Sequence, residues 1–281
     1  MITYNKKQII EIKKFYKVNG FVCIKNTVNK KLIDEICSSI VEIYNKYSSN
    51  KIRSKKNIYN DKEFHKKLVQ LRKRNKKKFG SLYDDLQVTV SSNLLARDPK
   101  LLKLASQLLS EKRYNTLAVS GVMTRIDCPF DTRNKLDWHQ EHRYYLQNDK
   151  AENGLFMHIP LHDVDENTGS LKLKPKSQNE KLIMTKPANR KSQYDSLNYL
   201  YDTKTLDKYE SISVNLNKGD IVFVNLDTLH ASGFNKSNKI RLSLISRVHR
   251  VLSKDFNSYR DESVFISDKI KRDKNNNLIK V

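Results

Sequence analysis

Apolar residues at Ile9, Ile12, Phe15 and Tyr16 fall on one side of a helical wheel with lysines opposite, which predicts a helix over 8–16. Gly20 ends it, and Phe21, Val22, Cys23 and Ile24 form a continuous apolar run expected to be a short buried strand. Leu32, Ile36, Ile40 and Ile43 repeat the helical stripe over 31–47. Residues 48–78 are polar and basic, densest at 71–78, and read as a solvated helix face. A third helix is predicted over 99–110, with Pro99 in its first turn and Leu101, Leu104, Ala105 and Leu108 turned inward.

After Tyr114 the periodicity changes to short apolar runs separated by turn residues. Strands are predicted over 116–126, 155–159, 170–173, 211–216, 221–225 and 242–251. So many short strands in one half of a chain suggest two packed antiparallel sheets. Residues 179–209 form a long polar insert between strands, of the length expected for an active-site lid or a disordered excursion. The chain is expected to be one domain over 1–261, followed by a mobile polar tail over 262–281.

Composition narrows the class. With 38% hydrophobic and 30% charged residues the balance is that of a soluble globular protein. No stretch approaches the roughly 18 apolar residues of a membrane span, and the N-terminus lacks an apolar signal core, so a cytoplasmic location is expected. Cys23, Cys37 and Cys128 are odd in number and scattered, which indicates reduced thiols. The net charge of +23 raises a nucleic-acid reading. Most of that surplus is lysine in a chain also rich in Asn and Ile, the trio an AT-rich genome produces. The run 71–78 also has no aromatic residue to stack on bases. Compositional bias is therefore preferred over a selected anion-binding surface.

Candidate chemistry centres on Trp138-His139-Gln140-Glu141-His142. In an extended strand His139 and Glu141 share a face and can offer a divalent metal two adjacent ligands. Gly219 and Asp220 turn into the buried run 221–225, and His230 follows it as a third candidate ligand. Two histidines and one carboxylate on one side of a metal leave three positions open, the arrangement of non-haem Fe(II) oxygenases. Eleven residues beyond His230 stands Arg241, whose guanidinium can grip a carboxylate with two hydrogen bonds, or else pair with a neighbouring acid.

These residues resemble the iron- and 2-oxoglutarate-dependent dioxygenases, specifically the phytanoyl-CoA dioxygenase family. The likeness rests on His-x-Glu, the distal His, the Arg eleven positions later, the loop 163–171 and Pro175-Lys176-Ser177-Gln178. It runs from about Ile10 to about Val251. Two departures stand out: Glu141 replaces the family's usual Asp, and 175–178 replaces its Pro-Gly-Ser-His. The resemblance implies a double-stranded β-helix (jelly-roll or cupin-like) with flanking N-terminal helices, an α+β fold with a mainly β core. It further implies that His139, Glu141 and His230 bind Fe(II). Arg241, with Gln140 and Ser232, would bind 2-oxoglutarate. Dioxygen would complete the reaction, with release of succinate and CO2 and hydroxylation of a small-molecule substrate. The carboxylate at Glu141 disfavours a halogenating variant.

Arg125, Tyr144 and His158 are expected near the substrate or cosubstrate pocket, with Thr124 and Tyr145 as further neighbours of the first ligand segment. His142 is expected to be a wall or rim residue, His162 structural, and His65 and His249 surface or packing residues. Two other classes stay open at this point: a non-catalytic double-stranded β-helix binding module, and a basic nucleic-acid-binding protein. The substrate and the oligomeric state are not legible.

Overall fold

A computed structural model describes the chain except for residues 1–2, 5–7, 54–56, 146, 189–197, 258–269, 274, 276 and 281. The N-terminal half is helical. After β1 (Thr3–Tyr4) come α1 (Ile9–Asn19), β2 (Phe21–Ile24), α2 (Lys30–Tyr47), α3 (Lys62–Arg74), α4 (Lys76–Gln87), α5 (Val90–Ala96) and α6 (Pro99–Leu108). Most helix starts carry a capping side chain: Asn29, Asp61, Asn75, Thr89 and Asp98 each accept a first-turn backbone N–H. Each such cap contributes about 1 kcal/mol. Gly20 closes α1 in the left-handed conformation, at φ +76°.

The basic run is two helices rather than one face, because Asn75 both ends α3 and caps α4. Phe79, Leu82, Tyr83 and Leu86 of α4 point into the core, a stripe that the surrounding lysines obscure in the sequence.

The second half supplies the strands β3 (Leu117–Asp127), β4 (Gly154–Pro160), β5 (Leu171–Leu173), β6 (Ile212–Val214), β7 (Ile221–Asn225), β8 (His230–Ala231) and β9 (Arg241–Arg250). A short α7 (Thr203–Asp207) lies inside the long insert. The larger sheet has the order β1-β2-β7-β4-β9-β3, antiparallel except for β1 with β2. The smaller sheet has the order β6-β5-β8. The fold is thus a mixed one of helices and antiparallel sheet.

Alternation along the strands builds two apolar layers. Leu242, Leu244 and Val248 of β9 pack with Ile126, Leu155, Met157 and the helices in one cluster. Phe156, Val222, Val224 and Ile245 face the smaller sheet's Leu171, Leu173 and Val214 in the other. The space between the two sheets is where the polar site residues gather.

The tail expected to be mobile contains a described hairpin of β10 (Ile270–Arg272) and β11 (Leu278–Lys280), while 258–269 lie outside the described residues. The side chains of Cys23, Cys37 and Cys128 are buried.

Candidate metal centre

His139, Glu141 and His230 converge: one ligand atom from each lies within 4.8 Å of the others, and all three residues are buried. The expected strand through His139 and Glu141 lasts only one pair. His139 forms an isolated antiparallel bridge with His230, exchanging N–H···O bonds of 2.9 and 3.0 Å. Glu141 then opens a 3-10 turn, Glu141–Arg143. That turn takes Glu141 out of the ladder, and the Gln140 N–H, which points away from His230, donates to the Tyr201 hydroxyl at 3.2 Å. On its other side β8 pairs with β5, so His230 is held between two segments.

Both imidazoles are set by the same device. His139 Nδ1 lies 2.7 Å from the carbonyl of Asp137, and His230 Nδ1 lies 2.9 Å from that of Thr228. A carbonyl only accepts, so each Nδ1 carries the hydrogen and each Nε2 is left with a lone pair; this tautomer follows from the network. Those Nε2 atoms face the same carboxylate oxygen. His230 Nε2 is 3.1 Å and His139 Nε2 is 3.9 Å from Glu141 Oε2. Lone pairs aimed at a carboxylate oxygen repel it unless a proton or a cation lies between, and a divalent ion would satisfy all three atoms at once. Burial, then the neighbouring His230, pushes His139 down to about 3, which keeps it neutral. This donor set fits a divalent metal ion.

Burial alone would raise the Glu141 carboxyl, but the Arg247 guanidinium and then His230 hold it well below the usual carboxylate range. Arg247 Nε donates to Glu141 Oε1 at 2.7 Å, and its Nη2 donates to the same oxygen.

A second charged cluster lies on neighbouring strands. Arg241 donates to Asp127 Oδ2 through Nε at 3.0 Å and Nη2 at 2.7 Å, and through Nη1 to the Gly233 carbonyl at 3.1 Å. Arg125 also meets Asp127, at 3.4 Å. Burial pushes Asp127 up, but Arg125 and Arg241 more than offset it and bring the carboxyl to about 2. Two guanidiniums therefore share one carboxylate in a buried place, a surplus of one positive charge. Ser232 accepts from the Leu136 N–H at 3.2 Å and from Arg125 at 3.4 Å, which leaves its own hydroxyl proton to donate. The Nδ1 of His158 has no partner among the described residues. Burial, then Arg241 and Arg125, lowers His158 to about 3.

Several expectations shift. Gln140 is expected among the cosubstrate-binding residues, yet its side chain donates to the carbonyls of Lys181 and Asp227 and accepts from the Ile183 N–H. Its position between the two ligands turns it to the insert, because alternate residues face opposite ways. Thr124 lies on the helix side of β3, bonded to Ser92. Tyr144 packs edge-on against His139, with ring centroids 5.7 Å apart. His142 is an interior brace rather than a rim residue. Its Nδ1 donates to Asp227 at 2.9 Å and its Nε2 to the Asn148 carbonyl at 2.8 Å; burial opposes its charge, but the Asp227 bond raises it.

His65 and His249 are buried. His65 and His162 each accept a backbone N–H at the start of β9, from Ile240 at 3.1 Å and Leu242 at 2.9 Å. The insert docks on the ligand segment: Arg143 donates to the carbonyl of Thr185 at 3.0 Å and to that of Ile183, and lies over the Tyr199 ring at 4.2 Å.

From the sequence, 125–127 is a charged segment at the mouth of the site, but neither the pairing of Asp127 with Arg241 nor any role for Arg247 was singled out. The signal for both is parity, since Asp127 shares a strand face with Arg125, and Arg247 shares one with Arg241.

Against known proteins, the family model described as phytanoyl-CoA dioxygenase (PhyH) matches residues 16–243. A comparison with curated proteins gives no match. Among solved structures the chain is similar to the epimerase SnoN in complex with Fe3+, alpha ketoglutarate and nogalamycin RO (15% identity, TM-score 0.57, 86% of this chain and 84% of that one). It is also similar to AviO1 from Streptomyces viridochromogenes (14%, 0.56, 89% and 98%). EvdO2 from Micromonospora carbonacea var. aurantiaca complexed with 2-oxoglutarate is a third (12%, 0.57, 92% and 96%). At these identities the likeness is one of fold.

Proposed function

The chain belongs to the phytanoyl-CoA dioxygenase family, and from that premise we propose that it is an Fe(II)- and 2-oxoglutarate-dependent oxygenase acting on a small molecule. The observation that carries the reading is the convergence of His139, Glu141 and His230, with both imidazoles locked to present Nε2 to one carboxylate oxygen. We read the two facing sheets as the halves of a double-stranded β-helix, within one domain over 1–261.

In this reading His139, Glu141 and His230 hold Fe(II) on one side and leave the other side open. The iron, when bound, supplies the redox chemistry that couples decarboxylation of 2-oxoglutarate by O2 to oxidation of a substrate, with release of succinate and CO2. The chain positions the cosubstrate. Three of the five N–H donors of Arg241 are engaged by Asp127 and Gly233, which leaves one on each terminal nitrogen for a bidentate grip on the far carboxylate. The surplus positive charge of the Arg125–Asp127–Arg241 cluster matches that carboxylate. Ser232 donates its proton to the same group, and His158 lines the pocket as a neutral imidazole. Tyr144, beside His139, faces the substrate. The described part of the insert, 179–188 and 198–209, anchored on Gln140 and Arg143, shields the reaction from water.

Anaerobic titration with Fe(II) and 2-oxoglutarate tests this directly. A weak visible charge-transfer band is expected in the native protein and none in His230→Ala. Absence of the band in the native protein would leave the non-catalytic module. Substrate-stimulated succinate formation that survives His230→Ala would overturn the ligand assignment.

A further inference from the structure

Beyond the three ligands and the carboxylate clamp, one more buried arginine, Arg247, reaches into the site. This guanidinium is almost wholly shielded from solvent and stands next to the metal-binding carboxylate. Its Nε lies 2.7 Å from Glu141 Oε1, and its Nη2 bonds the same atom. Nothing in the pairing involves Glu141 Oε2, which is the oxygen that faces His230 at 3.1 Å and His139 at 3.9 Å. The two oxygens of one carboxylate are thus divided between two partners.

Arg247 is itself held from two further directions. Its Nη1 donates to the carbonyl of Gly121 at 2.6 Å, and its guanidinium carbon sits 4.2 Å over the Tyr145 ring. Gly121 lies in a bulge where the register of β3 against β9 shifts between Ser120 and Met123. It has φ +53°, and a Cβ there would come within 2.5 Å of the Tyr145 hydroxyl. The bulge, the missing side chain and the tyrosine together make a seat for one guanidinium.

We propose that Arg247 is a positioning residue for the metal centre, pinning Glu141 Oε1 so that the carboxylate presents Oε2 alone to the ion. The inference rests on the metal-binding reading above. Its physical basis is that a glutamate has three side-chain torsions and reaches a metal in many poses, with one oxygen or with both. A fixed guanidinium removes that freedom before the ion arrives. It also keeps the second oxygen away from the open side, where a cosubstrate and O2 need room.

The experiment is Co(II) binding to metal-free protein, read by calorimetry and by the visible Co(II) spectrum, for native protein, Arg247→Met and Arg247→Lys. Melting curves accompany each variant. Arg247→Met is expected to bind Co(II) about 10- to 100-fold more weakly and to alter the spectrum, since loss of a partner that orients a ligand costs that much. Arg247→Lys keeps the charge but offers a point donor in place of a fork, and should fall between the two. A purely structural role would lower the melting temperature and leave the affinity and spectrum of the folded protein unchanged. A folded Arg247→Met with native affinity and spectrum overturns the proposal. If Arg247→Met does not fold, Arg247→Lys decides, and an affinity within about twofold of native overturns it. Native protein that binds no Co(II) would instead sink the metal-centre reading itself.

Discussion

Replacing Arg241 with methionine separates cosubstrate binding from metal binding. The residue makes two hydrogen bonds to Asp127 and one to Gly233, and in the proposed function its two remaining N–H groups grip the far carboxylate of 2-oxoglutarate. Hydrogen bonds to charged groups contribute about 1.5–3 kcal/mol each, so losing two costs about 3–6 kcal/mol of cosubstrate binding. At 1.4 kcal/mol per decade that is a factor of about 100 or more in affinity. The cluster's charge also changes, from a surplus of one with Arg125, Arg241 and Asp127 to neutrality.

The assay is succinate release as a function of 2-oxoglutarate concentration, together with Co(II) affinity. KM for 2-oxoglutarate should rise at least about 100-fold while Co(II) affinity stays within about twofold, because Arg241 bonds to Asp127 and Gly233 and to none of the three metal ligands. Breaking a buried pair is itself destabilising by about 3–5 kcal/mol, an upper figure here because Arg125 remains beside Asp127. The double variant Asp127→Asn/Arg241→Met leaves the buried Arg125 without its carboxylate and should lose further stability without regaining affinity. A folded Arg241→Met whose KM stays within about threefold of native would refute the clamp.

Two further outcomes probe the surroundings of the site. His162 is lowered to about 3 mainly by burial, and its neutral Nε2 accepts the Leu242 N–H. A histidine whose folded-state value lies below its unfolded one gives stability that is present above about pH 6.5 and lost as pH falls towards about 3. The slope is about 1.4 kcal/mol per pH unit for each such group. His162→Gln keeps an acceptor but cannot charge, so its melting temperature should fall less steeply with acid between about pH 6 and pH 4.5; an unchanged slope would remove His162 from the account. Arg143→Met should loosen the segment 181–185 from the ligand turn, speeding limited proteolysis within 179–209 several-fold while Co(II) affinity is kept. Equal cleavage rates would show that Arg143 does not hold the insert.

The elements that were legible in the sequence are those whose signal is local. The stripes of α1, α2 and α6, the strand runs and the order His139, Glu141, His230, Arg241 could all be read from spacing. The long-range pairs could not, because they depend on strand register. Glu141 and Arg247 are 106 positions apart, and Asp127 and Arg241 are 114 apart. Each meets its partner only after β3, β4 and β9 have aligned, and the bulge near Gly121 decides which residue of β3 faces Arg247. Parity narrows the choice without fixing it, since a shift by one residue would turn every side chain of a strand to the other face. The turn at Glu141 was likewise hidden, because the short run 138–142 is as compatible with a strand as with the single bridge and 3-10 turn that form.

The chain's charge divides along the same line. It has 40 lysines and 14 arginines. Among the described residues Arg125, Arg143, Arg241 and Arg247 are buried, against only Lys67 and Lys174 among the lysines. An ammonium loses a tightly bound hydration shell on burial and offers donors without a fixed plane. A guanidinium is more weakly hydrated, stays charged and can bond two or three partners at fixed angles. Arg143, Arg241 and Arg247 each reach at least one backbone carbonyl, and the last two a carboxylate as well. The lysine surplus therefore sets the net charge while the arginines shape the site, and a basic total of +23 carries no information about what the pocket accepts. That information lies in one unmatched positive charge between Arg125, Asp127 and Arg241, and in the two lone pairs that His139 and His230 turn towards Glu141.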